Sequence, residues 1–555
     1  MSASDKKKLR KEQASAFLTE KQMKEQAEAK KLRTYTITFI TAMVLIVCIT
    51  VGVLAARAVN HSGVFQKNTI AAVVGDHQIN SVELSYYYSD KINEFYNDWY
   101  EQYSTYTDTY LNMMGLNTSK PLNEQVYDQE SGKTWAQYFI EAAVEQAKSD
   151  YALYELAIND KDFKLPEDEQ TTLDNLKKNL DVNAVLYGFS NGNQYLRTVY
   201  GYGSDVDSYY NYSERSMIAS AYYNAHNDSL KYDANAIDEY QKDKKDNYNS
   251  YDYSYSYLSY TDFRTGGTKG EDGSMTYTDK ENNDARDLMK ATAEEMATAK
   301  TLDELKEKAE AAKVNENSEL AVNTEKAKLH TAINAALANW LAEAERKDGD
   351  IAAIPNTTTV TGEDGKETTL TNGYYVAIFN SKTENKKNLA NVRHLLVKFT
   401  GGTEDEETGE IVYSAAEKDT AKVKAEGFLK TWKEGEATEE TFIELVKKNT
   451  DDSGSKETGG LYEDITPASQ YVTNFLNWSI SDERQKGDTG IIETEYGYHV
   501  MYYVGDSDIT YRDYMITNEM READQAKWYE ESLKDITTSI GDTSKMALDM
   551  VLSAG

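Results

Sequence analysis

Six histidines and one cysteine are the side chains of this 555-residue sequence able to act as neutral-pH bases, nucleophiles or soft metal ligands. Cys48 lies inside an apolar run and has no partner for a disulfide or a thiolate metal site. His61, His77, His226 and His330 show no ligand spacing, and there is no His-Glu-x-x-His, no Gly-x-Ser-x-Gly and no phosphate-binding glycine loop. No metal or other cofactor is expected. His394 and His499 differ from the rest. Each stands in a short apolar run of the kind that forms a buried strand, Val392-Arg393-His394-Leu395-Leu396-Val397 and Tyr496-Gly497-Tyr498-His499-Val500. Taken singly, such an imidazole is more often structural than catalytic, so the elements around each one carry the weight.

Those elements repeat. Asn339-Trp340, followed by Gly349-Asp350, aligns without a gap with Asn477-Trp478, followed by Gly487-Asp488. Each copy opens with a strand (253–260 and 392–399), continues with an amphipathic helix (285–299 and 421–432) and closes with a strand, Gly373-Tyr-Tyr-Val-Ala-Ile-Phe379 or Gly497-Tyr-His-Val-Met-Tyr-Tyr503. The first copy is longer in its hairpin, around 357–371. The pattern reads as two tandem domains of one fold.

Along 391–504 the second copy resembles the parvulin family of peptidyl-prolyl isomerases. The resemblance rests on the strand around His394, Phe442 to Val446 leading into Thr450-Asp451-Asp452-Ser453, the Gly459-Gly460-Leu461 turn, Gln470 to Phe475, Gly487-Asp488 and the closing Tyr496-Gly497-Tyr498-His499-Val500. It implies an antiparallel sheet with surrounding helices, in which His394 and His499 form a hydrogen-bonded pair. It also implies that Asp452 is the site carboxylate, that Leu461, Tyr471 and Phe475 cradle a proline ring, and that Tyr496 and Tyr498 contact substrate. The turn reads Gly-Gly-Leu-Tyr where the family often has Gly-Gly-Asp-Leu-Gly, and Tyr496 replaces a small hydroxyl residue. The acidic insertion 401–413 disfavours phosphorylated substrates, because like charges repel.

Isomerisation needs no bond to break. The amide is planar by resonance and crossing costs about 18–20 kcal/mol, so a catalyst need only bind the twisted amide better than either planar form. Asp452 is expected to disfavour amide resonance electrostatically, and the histidines to fix local hydrogen bonding. In the first copy Tyr375 stands where His499 stands, and its opening strand has no histidine and places Tyr255 or a neighbour at the position of His394. This copy is expected to be catalytically silent. Its alternating tyrosines fit half-buried strand packing, with a peptide-binding surface as the alternative.

The whole chain bounds the rest. A formal charge of -34 excludes nucleic acid as a natural partner. Residues 34–56 carry no charge and are long enough for a helix through about 30 Å of hydrocarbon. Lys30, Lys31 and Arg33 abut them, which keeps 1–33 cytoplasmic and puts everything after Arg57 outside. Residues 70–74 read as a strand, followed by a Gly75-Asp76 turn and a helix start with Asn80 and Glu83 in capping-box spacing. Apolar spacing over 134–157 marks a long helix, and 186–208 an exposed loop or short helix.

The expected class is therefore α+β. A basic cytoplasmic segment (1–33) precedes one transmembrane helix (34–56), a helical chaperone-like domain (69–236), a degenerate parvulin-like domain (237–385) and a parvulin-type isomerase domain (388–506). Residues 507–555 are expected to dock on the helical domain. This layout resembles the extracytoplasmic foldases of the PrsA and SurA kind. The resemblance implies a single-pass cell-membrane protein whose partners are unfolded secreted polypeptides with X-Pro bonds, and a homodimer is possible. A chaperone that binds such chains without catalysis, using the parvulin units as scaffold, is the alternative.

Overall fold

The computed structural model describes every residue except 1–3, 5, 8–19, 271, 313–319, 362–364, 406–408, 551 and 553–555. The basic segment 1–33 and the acidic insertion 401–413 thus lie partly outside the described residues. The architecture is mixed α+β, in two compact units: residues 1–230 with 524–555, and residues 231–523.

The first unit begins with α1 (Glu20–His61), which runs unbroken through 34–56. Here expectation and structure part. Among the described residues no helix is long and apolar enough to cross a membrane. The stretch whose side chains are described without interruption, 38–54, is exposed and is shorter than the run read in the sequence. Next, β1 (Ile70–Val74) and β2 (His77–Asn80) pair antiparallel about Gly75, whose φ of +52° suits the tight reversal. Asn80 caps α2 (Ser81–Tyr103), its side chain accepting from the Val82 and Glu83 amides. Glu83 does not close the expected capping box. It pairs with Arg215 and accepts from the Tyr151 hydroxyl at 2.7 Å, since a buried guanidinium is the more demanding partner.

Thr134 and Gln137 form a reciprocal capping box at the start of α3 (Trp135–Asn159), which buries Phe139, Ala143, Val144 and Ala147 against α2. Between Leu186 and Ser208 lies the short helix α4 (Gly192–Tyr200), before α5 (Val206–Ser229). The core joins Tyr86, Tyr87 and Tyr88 of α2 to Tyr212 of α5, with Tyr87 and Tyr212 edge to face at 4.7 Å.

In the second unit one topology occurs twice. The first copy comprises β3 (Ser250–Ser259), α6 (Asp279–Met296), α7 (Leu302–Ala311), β4 (Asn323–Leu329), α8 (Ala335–Ala342), β5 (Ile351–Thr361) and β6 (Glu367–Thr383). The second comprises β7 (Asn388–Lys398), α9 (Ala415–Glu434), α10 (Glu439–Asn449), β8 (Leu461–Ile465), α11 (Thr473–Ser479), β9 (Thr489–Thr494) and β10 (Gly497–Thr510). The sheets run β4-β3-β6-β5 and β8-β7-β10-β9, all antiparallel, so each first strand lies beside its last.

Strand alternation divides the second sheet. Leu395, Val397, Tyr498, Val500 and Tyr502 pack under α9 and α10 with Trp432 and Phe442. The Trp432 indole N–H donates to the Thr438 carbonyl at 3.1 Å and to Thr441 Oγ1 at 3.0 Å, tying the start of α10 to α9. The opposite face carries Val392, Met501 and Tyr503 against Phe475 of α11. After β10 comes α12 (Tyr511–Leu533), and its C-terminal part lies in the first unit. There Trp528 stacks on His226 at 3.9 Å, and the Gln525 amide donates to the Tyr223 carbonyl at 3.0 Å. Finally β11 (Thr538–Ile540) pairs antiparallel with β1 and completes the order β11-β1-β2.

Candidate active site

His394 on β7 pairs in register with Met501, and Leu396 with His499 on β10. The two histidines are thus diagonal neighbours on one face, although 105 residues separate them. Their Nδ1 atoms are 2.8 Å apart and both rings are buried. Asp452 arrives from the loop after α10. Thr450 Oγ1 shapes that loop by accepting from the amides of Leu396 and Asp452, each at 3.1 Å. Asp452 Oδ2 lies 2.9 Å from His394 Nε2 and also accepts from the hydroxyls of Ser455 and of Tyr462, the latter at 3.3 Å.

The hydrogen bond from His394, aided by Ser455, the neighbouring imidazole charge and the Gly454 amide, holds the Asp452 carboxyl well below the usual carboxylate range. Asp452 is therefore ionised and can only accept, so His394 Nε2 carries a proton. With His394 neutral, its Nδ1 accepts from His499 Nδ1–H, and His499 Nε2 accepts from the Thr494 hydroxyl at 2.8 Å. A proton added at His394 Nδ1 reverses that chain. The Nδ1–Nδ1 bond changes direction, His499 Nε2–H donates to Thr494 Oγ1, and the Thr494 hydroxyl turns to the Gly497 carbonyl at 3.4 Å. His499 is neutral in both arrangements. Burial, reinforced by His394, pushes its imidazole down to about 3.

Two backbone features keep this geometry. The Gly460 carbonyl accepts from the His394 amide at 2.9 Å, and at φ +73° a Cβ on Gly460 would come within 2.1 Å of the His394 carbonyl oxygen. Arg393, pointing away from the site, donates to the carbonyls of Thr458 at 2.7 Å and Gly459 at 3.2 Å and pairs with Glu439 at 2.9 Å. The 455–460 turn is thereby pinned to β7.

Above the pair opens a cavity of about 320 Å³. Its apolar wall is Leu396, Tyr462, Tyr471, Val472 and Phe475, and His394, Asp452, His499, Lys398, Gln470 and Tyr496 complete it. The buried Phe475 ring stands edge to face on His394 at 5.4 Å and on Tyr471 at 5.4 Å. The structure thus brings together His394, Asp452, His499, Tyr471, Phe475 and Tyr496. Two expected residues do not line the cavity. Tyr498 precedes His499 in an extended strand, so it faces the α9 layer, where its ring meets Phe399 and its hydroxyl donates to Glu493 at 2.7 Å. Leu461 pairs with Arg393, one step out of phase with His394, and its neighbour Tyr462 takes the site-facing position.

Ser455, Tyr462 and Thr494 were missed by reading the sequence. Strand alternation was signal enough for Tyr462. The two small hydroxyls, in a turn and at a hairpin, left none. Among the described residues no group of three His, Cys, Asp or Glu is placed to hold a metal ion.

In comparison with known proteins, the family described as PPIC-type PPIASE domain matches residues 376–505. Two solved structures are similar. The peptidylprolyl isomerase PrsA of Bacillus anthracis has 18% identity and a TM-score of 0.17, over 27% of this chain and 59% of its own. That of Bacillus cereus has 21% identity and a TM-score of 0.17, over 27% of this chain and 50% of its own. This chain therefore spans between half and three fifths of those structures, and the TM-scores carry no weight for the fold. None of the curated proteins matches. Residues 376–505, which hold His394, Asp452 and His499, form a domain of the PPIC-type PPIase kind.

Proposed function

We propose that this protein is a foldase that works outside the cytoplasm, tethered through 34–56, and speeds X-Pro isomerisation in secreted chains. One observation carries the catalytic part: an ionised carboxylate and a buried, hydrogen-bonded imidazole pair lie at the mouth of an apolar slot. Amide resonance draws electron density onto the carbonyl oxygen. The Asp452 charge disfavours that polarised planar form and so favours the twisted amide. Phe475, Tyr471, Tyr462 and Leu396 hold the pyrrolidine ring, and the His394–His499–Thr494 chain keeps the field fixed without moving a proton to substrate.

Isomer exchange measured by NMR on an X-Pro peptide with the full chain tests this reading. Equal rates for the wild type and the D452A/H499A variant would remove it. The location is supported by the uncharged run and the basic residues before it. Protease added to intact cells should digest residues beyond Arg57 and spare the N-terminal segment, and the reverse pattern would overturn the topology.

A non-catalytic chaperone role is the second reading, favoured by exposed aromatic and thioether groups, Tyr100, Tyr106, Tyr110, Met113 and Met114, along and after α2. On that reading the D452A/H499A variant still suppresses aggregation of an unfolded client.

A further inference from the structure

The first unit holds a cavity of about 630 Å³ whose lining has no role in isomerisation. It lies where α1 ends at His61, α2 begins with Ser81 and Ser85, α4 ends with Arg197, and the C-terminal segment brings Lys545. In a chain of formal charge -34, the described residues lining it include no carboxylate but include an arginine, a lysine and a histidine.

Some cations of this unit are held in ion pairs, as in Lys67–Asp205, Lys91–Glu94, Lys133–Glu141 and Arg215–Glu83. Arg197 and Lys545 make no salt bridge among the described residues, although Lys545 interacts at longer range with the Asp542 carboxylate, and both are exposed. Compensation of helix dipoles accounts for a basic residue in the last turns of α1 and α4. It does not account for Lys545, which is on no helix.

The floor is polar and uncharged. Ser81 and Ser85 are buried on the first turns of α2, where the Ser85 hydroxyl donates to the Ser81 carbonyl at 2.7 Å and Asn80 caps the helix end. The His61 imidazole is steadied by the Tyr202 ring at 4.4 Å, with Nε2 3.3 Å from the Tyr202 hydroxyl. A guanidinium fork and an ammonium group lining one cavity suit a tetrahedral oxyanion, and the volume leaves room for what that anion is attached to.

We propose that this cavity binds a phosphate group, free or as the headgroup of an anionic lipid, through Arg197, Lys545 and His61. The site does not depend on the isomerase reading, and His61 sits at the end of the helix that carries 34–56.

The test uses the full chain in neutral detergent micelles, titrated by calorimetry with inorganic phosphate and separately with dihexanoyl phosphatidylglycerol. Saturable binding of at least one probe is expected, weakened about tenfold by R197Q and by K545Q, with R197K intermediate. K177Q, which breaks an ion pair elsewhere in the unit, should leave binding unchanged. Binding of inorganic phosphate identifies a free-anion site, and binding of the lipid alone identifies a headgroup site. The absence of saturable binding by both probes, or unaltered binding in the R197Q/K545Q double variant, overturns the proposal. Isomerase turnover is expected to stay the same throughout, which separates this result from the fate of the catalytic reading.

Discussion

The sheets β4-β3-β6-β5 and β8-β7-β10-β9 have the same strand order and the same pairing of first strand with last, and only one carries a polar site. In the second, His394 lies opposite Met501 and His499 opposite Leu396. In the first, Tyr255 lies opposite Ala377 and Tyr375 opposite Tyr257, so tyrosines occupy three of the corresponding positions. Tyr255 and Tyr375 are 5.9 Å apart between ring centres, beside a cluster that includes Leu337 and Ile333. Where the second sheet has an imidazole pair bound to a carboxylate, the first has phenol rings in a mostly apolar cluster. Burial pushes the Tyr375 hydroxyl up, further from neutral titration. A single scaffold serves as site or as packing according to a few side chains on one face, and fold alone settles neither.

The largest contrast should be in turnover. D452A/H499A is expected to lower kcat/KM by about 100-fold or more, whereas Y255F/Y375F leaves it within about twofold, measured by isomer exchange on the full chain. A comparable loss in the tyrosine variant would give the first sheet a share of the chemistry.

Stability should separate equivalent glycines. A Cβ on Gly497 would meet the Val397 carbonyl oxygen at 2.1 Å at a φ of +150°, so the backbone must move. A Cβ on Gly373 would meet the end of the Tyr257 side chain at 2.2 Å, and that exposed ring can swing aside. G497A is expected to cost about 3 kcal/mol and G373A about 1 kcal/mol or less, read from denaturant midpoints. Equal costs would mean that the first sheet is as rigid as the second.

Acid should distinguish them next. The folded His499 imidazole is held down at about 3, against about 6.5 when free, so the unfolded chain binds the extra proton between those values. Stability conferred by keeping this group neutral is complete above about pH 6.5. It declines as pH falls toward 3, by at most about 1.4 kcal/mol per pH unit. H499F should flatten this dependence over the same window in pH-dependent unfolding, and Y375F should leave it unchanged. The smallest effect is expected from Y375H, which supplies one imidazole without its partners and should give no measurable gain in turnover.

How much of this was legible follows from the range of each interaction. The repeat, the strands and the long helices are written in local periodicity, and the Asn80 cap in local spacing. The His394–His499 contact is not, because register across two strands far apart in sequence depends on the whole sheet. Tyr498 and Leu461 were assigned through motif positions when the two-residue period already placed each on the face opposite its catalytic neighbour. Thr494 and Ser455 become visible only when the unused valences of His499 and Asp452 are counted in three dimensions.

The pairing of β11 with β1 sets a timetable. Residues 538–540 close the edge of a sheet begun by residues 70–74, so that sheet stays unfinished until all of the second unit has been made. At a synthesis rate of about 5–20 residues per second, the open edge of β1 waits on the order of half a minute to a minute and a half. During that interval both repeats of the second unit have already left the ribosome. The unit that starts before the second one is sealed only after it.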